Sequence, residues 1–164
     1  MKTNGKATDI ILAAAVALLA YLCIGSIATP MRFDSERLRR EKAVKQRLLK
    51  IRAAEERHRA ATGRYCGSAD SLVAGGWLAD SLRHIPYSGG KDFRLSVATT
   101  ISRAGKEVPL MECGAEYADY LEGLDLDAVE RLTDEAYAAG RYPGLRIGSL
   151  TEPNGNAGNW EAGN

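Results

Sequence analysis

The stretch IILAAAVALLAYLCIGSIATPMRFDSERLRREKAVKQRLLKIRAAEERHRAAT, residues 10–62, decides the architecture because its two halves follow different rules. The first half, 10–28, carries no charge, and its nineteen residues at about 1.5 Å each make a helix of roughly 28 Å, close to the ~30 Å hydrocarbon thickness of a bilayer. Beyond Pro30, the segment 34–62 contains neither glycine nor proline, is dense in charge, and reads as a helix of about 43 Å. The pattern predicts a short tail over 1–9, a transmembrane helix over 10–29 and a stalk helix over 30–62. An α+β head over 63–153 and a flexible tail over 154–164, rich in glycine and asparagine, complete the chain.

Two processed alternatives bear on the apolar run. A secretory signal peptide has a basic start, here Lys2 and Lys6, and small residues before its cut, which Ser26 and Ala28 supply. Its apolar core spans only about 7–15 residues, so the longer run here reads as a retained anchor in contact with membrane lipid through 10–28. Lipidation at Cys23 is the third reading, and Leu22 and Tyr21 are bulky where a lipid-modified cysteine is preceded by small residues. Cations are denser after the run (Arg32, Arg37, Arg39, Arg40) than before it, which favours a cytoplasmic head. That rule counts short loops, and a whole domain follows here, so the localisation read is a single-pass bacterial inner-membrane protein with a periplasmic head.

Along the stalk, Asp34 and Ser35 read as cap residues, and Val44, Leu48, Ile51, Ala54, His58 and Ala61 recur at three- and four-residue intervals as one narrow stripe. This stripe is the predicted packing spine of the head, with Arg47 on the wet face. A sustained coiled coil does not fit, because its register would place Glu55 and His58 at core positions. Residues 32–59 hold eleven cations and five carboxylates, a balance of +6, whereas 60–164 hold nine and fifteen, a balance of −6. Such division is ordinarily a solvated basic helix beside an acidic domain; stalk-to-head packing between copies and contact with anionic lipid are the functional readings. Apart from Phe33, no aromatics interleave the cations, so no nucleic-acid partner is expected.

In the head, Gly63 stops the helix, Ser68 or Asp70 caps a short helix through Leu72, and Gly75-Gly76 ends it. Phe93, Leu95, Val97 and Thr99 alternate with polar or small residues as a strand, and 103–106 is a hairpin turn. Residues 108–113 return as a second strand, which Pro109 makes either an edge or a strand that begins after it. Residues 116–121 read as a further strand, Asp125 or Asp127 caps a helix ended by Gly140, and 145–150 form a last strand.

Chemistry-bearing residues are few. His58 lies on the apolar stripe and reads as a packed histidine; with His84, Cys66 and Cys113 it lacks metal-ligand spacing, so no metal, cofactor or catalytic residue is assigned and the chain is read as no enzyme. No serine sits in a nucleophile motif, and Gly75-Gly76 and Gly89-Gly90 lack the lysine and spacing of a phosphate loop. Outside the cytoplasm Cys66 and Cys113 are a candidate disulfide, although their geometry is not given by sequence.

The order of parts, with Ile27-Ala28-Thr29-Pro30-Met31 inside the first helix and Ala60-Ala61-Thr62-Gly63-Arg64-Tyr65 at its end, resembles the pilin and pseudopilin architecture. Residues 47–72, Tyr142-Pro143-Gly144-Leu145-Arg146-Ile147-Gly148-Ser149-Leu150 and Asn156-Ala157-Gly158-Asn159-Trp160-Glu161 are similar to uncharacterised single-pass envelope proteins of Bacteroidota. The resemblance implies a transmembrane helix continuing into a long stalk packed on a small antiparallel sheet. It further implies a non-enzymatic subunit of a cell-envelope assembly, pilin-like or secretion-type, whose partners are other protein subunits, itself included. The alternative is an independent membrane-tethered binding or sensing domain for a ligand of unknown class. Where a pilin precursor has glycine followed by an apolar segment with a glutamate, Gly5 is followed by Lys6-Ala7-Thr8-Asp9.

Overall fold

A glycine-free run from 34 to 62 allows one long helix, and the chain takes it: α1 spans Asn4–Thr62 and stops where Gly63 adopts φ +82°. The structure, a computed structural model, describes residues 4–102 and 104–161, with the side chains of 8–23, 31–102 and 104–161. The chain divides into two units, Met1–Arg37 and Leu38–Asn164.

In the first unit every described side chain between 8 and 23 is exposed, Ile10 at 70% and Tyr21 at 75% among them. Among the described residues no helix is long and apolar enough to cross a membrane. The expected span over 10–28 includes 24–28, whose side chains lie outside the described residues. Asp34 and Ser35 do not cap a separate stalk, because the helix is already formed before them. Ser35 Oγ instead donates back to the Met31 carbonyl at 2.8 Å, and Asp34 lies 3.7 Å from Arg37.

In the second unit α1 packs against a three-stranded antiparallel sheet in the order β1-β2-β3: β1 Arg94–Ile101, β2 Glu107–Glu116 and β3 Gly144–Gly148. Two short helical pieces precede the sheet, α2 Ala69–Ala74 and a 3₁₀ turn Asp80–Leu82; α3 Tyr117–Tyr120 and α4 Leu126–Ala138 lie between β2 and β3. Leu95 opposite Cys113 and Val97 opposite Met111 place one face of β1 beside the core-facing residues of β2. Met111, Cys113, Ala115 and Ile147 are buried in the core with Leu72, Phe93 and Tyr120.

Three local expectations are corrected. Pro109 sits inside the central strand, opposite Thr99; β3 pairs only with Glu112–Glu116, so around the proline β2 has a neighbour on one side alone and its missing N–H costs no ladder bond. Residues 116–121 form no strand: the Glu116 N–H donates to Asp119 Oδ2 at 3.1 Å in a capping box, which turns the chain into α3. Residues 154–161 are held rather than loose, with Gly148 N–H on the Ala157 carbonyl, Asn159 N–H on the Arg146 carbonyl and an isolated bridge from Ile147 to Gly158. They seal the outer edge of β3. Of the two cap candidates for α4 the structure uses Asp125, whose Oδ1 accepts the Ala128 N–H at 2.8 Å, and Asp127 lies in the first turn.

Candidate functional site

The apolar stripe of α1 meets the sheet through Val44, Leu48, Ile51 and Ala54, all fully or almost fully buried. Each large aliphatic among them contributes about 1.5–3 kcal/mol by burial. Toward the helix end the stripe changes character. Ala61 is exposed, His58 is half-buried, and the interior position belongs to Glu55, whose exposure is 0%. Sequence reasoning left Glu55 off the spine and used it only against a sustained coiled coil. Its spacing of four from Ile51, with the turn Gly63–Gly67 just beyond, was the signal that could have found it.

Glu55 is satisfied by backbone. One carboxylate oxygen accepts the Cys66 N–H at 2.8 Å and the other the Gly67 N–H at 3.2 Å, so the buried anion is paid for by two donors from the turn that follows the helix. Gly67 is required there twice: its φ is +73°, and a Cβ would stand 2.7 Å from Val97 Cγ2 on β1. The turn is thereby clamped between the helix end and the edge strand.

The two head cysteines are free thiols, not a bridge. Cys66 is half-buried, with its backbone committed to Glu55 and its Sγ 3.6 Å from the Ser68 carbonyl. Cys113 projects from β2 into the core, and burial, followed by the charges of Glu55 and Glu112, pushes its thiol well above the ordinary range. Such a buried, protonated thiol is a poor nucleophile.

His58 closes the helix end as a packing group. Its Nδ1 donates to the Arg64 carbonyl at 2.9 Å, and its ring stands edge-on to Trp77 with centroids 5.6 Å apart. Nearby, Tyr65 Oη receives Arg59 Nη1 at 2.9 Å and Asn156 Nδ2 at 2.8 Å. These residues, with Glu56, Pro109 and Pro153, line an open cleft of roughly 580 Å³. It is walled by the end of α1, β2 at residues 108–110 and the segment after β3.

Two further networks of titratable groups lie elsewhere in the unit. His84 Nδ1 lies 2.6 Å from Asp92, and Arg83 joins Asp70, Asp80 and Asp92 around it. On the other face of the sheet Tyr142 lies over Gly114, where a Cβ would meet its Oη at 2.7 Å, and the Arg146 guanidinium stands 5.4 Å from its ring. Burial pushes the Tyr142 phenol up to about 12, opposed by the charge and hydrogen bond of Arg94. Among the described residues no group of three or more His, Cys, Asp or Glu side chains could hold a metal ion, so His58, His84, Cys66 and Cys113 are not brought together as ligands. No family model, no curated protein and no solved structure matches this chain.

Proposed function

We propose that the chain is a non-enzymatic, membrane-anchored structural subunit of a cell-envelope assembly, pilin-like or secretion-type. Residues 10–28 lie in the inner membrane in this reading, and the head stands in the periplasm. One observation carries it: along α1, Ile10, Ile11, Leu12, Val16, Leu18 and Leu19 are each at least 59% exposed. A helix that is apolar all round and uncovered by its own chain needs an apolar environment from elsewhere, either lipid or neighbouring subunits. In the head, the Glu55 carboxylate and the Cys113 thiol are committed to the core.

The test is gentle solubilisation of membranes followed by purification of the full chain and identification of what remains bound. Stable stoichiometric protein partners, copies of itself included, are the expected result. Recovery as a monomer that a small molecule stabilises overturns it in favour of a tethered binding or sensing domain, the reading that the cleft at Tyr65 and Asn156 favours.

A further inference from the structure

Two faces of the Leu38–Asn164 unit carry charge that the unit leaves unpaired. The segment 122–135, which includes most of α4, has six carboxylates and one cation, Arg131. The side chains of Asp127, Glu130, Asp134 and Glu135 have no ion-pair or hydrogen-bond partner among the described residues. Glu130 and Asp134, one turn apart, share a groove of roughly 570 Å³ with Leu121, Leu124, Leu126 and Val129. Leu126 is 67% exposed there, an apolar residue that nothing in its own chain covers.

The counterpart is on α1. Residues 38–50 hold six cations and one carboxylate, Glu41. Leu38, Lys42, Gln46 and Lys50 follow at intervals of four and are all exposed, so they form one line along the helix surface. Leu38 is 59% exposed, and the side chains of Lys42 and Lys50 have no ion-pair or hydrogen-bond partner among the described residues. Groove and stripe are uncovered at the same time in the same folded unit, so the chain does not satisfy one with the other.

We propose that the acidic groove of α4 receives the basic stripe at Leu38–Lys50 of a second copy of this chain. Leu38 enters the apolar lining beside Leu126, and Lys42 meets Glu130 and Asp134. The side chains left unpaired are opposite in sign, Lys42 and Lys50 on the stripe against Asp127, Glu130, Asp134 and Glu135 on α4, which selects for this pairing and against groove-to-groove or stripe-to-stripe contact. Because the two surfaces differ, copies joined this way either close as a reciprocal pair or propagate as a row. The proposal rests on the structural-subunit reading and names the partner and surface within it.

The experiment is sedimentation of the full chain in mild detergent at low and high salt, for the native protein, Glu130→Lys, Lys42→Glu and the double variant. Each single reversal is expected to weaken self-association about tenfold and the double variant to recover most of it, with added salt weakening the native contact. Both positions are exposed, and unchanged circular dichroism and unfolding midpoints confirm that the heads are intact. Self-association that neither reversal alters, a double variant that fails to recover, or a native chain monomeric throughout overturns the proposal. The subunit reading survives those outcomes if gentle purification still yields a stoichiometric partner, and falls separately if it does not.

Discussion

The carboxylate of Glu55 lies 2.8 Å from the backbone N–H of Cys66, so the last buried position of the long helix is occupied by an anion whose partner is the main chain of the turn that leaves it. Helix, turn and edge strand are fastened at this one point.

Removing that fastener is costly. Glu55→Ala abandons two backbone donors at Cys66 and Gly67, each worth about 1–3 kcal/mol when left unpaired. Urea unfolding followed by Trp77 fluorescence is expected to show a loss of roughly 2–5 kcal/mol, with Glu55→Gln, which keeps an acceptor oxygen, falling between it and the native chain.

The spine has a matching control. Leu48→Asp puts an unpaired carboxylate at a position of 0% exposure and is expected to cost more than about 4 kcal/mol, whereas Lys50→Ala on the exposed line stays within about 0.5 kcal/mol. Equal effects in the same unfolding assay would remove α1 from the core. Arg47 is not a neutral control, contrary to its wet-face reading, because its guanidinium donates to the His84 carbonyl.

Alkaline stability follows from Tyr142. Its phenol titrates near 10 when unfolded and is pushed up to about 12 by burial in the fold. The folded state therefore holds a proton that the unfolded state has released, and stability falls as pH rises from about 10 to about 12 while being fully present below. Unfolding midpoints across this range should decline less steeply in Tyr142→Phe than in the native chain.

Thiol labelling separates the cysteines. In native protein Cys66 is expected to alkylate readily, and Cys113 at least about a hundredfold more slowly, because the latter reacts only after local opening of the core. Intact mass before and after reduction should agree. A mass change on reduction matching one intramolecular bridge would refute the free-thiol arrangement.

Much of this architecture was legible because it is written in local pattern. The spacing of Val44, Leu48 and Ile51 gave the buried face of α1, and Asp125 before a helical stripe gave the start of α4. What escaped depends on partners distant in sequence or on competition between local states. Glu55 looked unsuited to a core because its two donors belong to a turn, and 116–121 looked extended until the box between Glu116 and Asp119 favoured a helical turn. The ends of the spine were less visible still: Ala61 keeps the period but lies past the last element able to cover it.

The segment that seals β3 also changes the order in which this fold can be completed. Asn156 meets Glu56 across 100 residues, and Glu161 meets Arg52 across 109. During synthesis the upper part of the helix therefore emerges long before the turn that finishes its surface. Until that turn arrives, the outer edge of β3 is open and the Tyr65 hydroxyl lacks its Asn156 donor. Until then the unfinished head presents an open strand edge, the feature through which incomplete sheets pair with other chains.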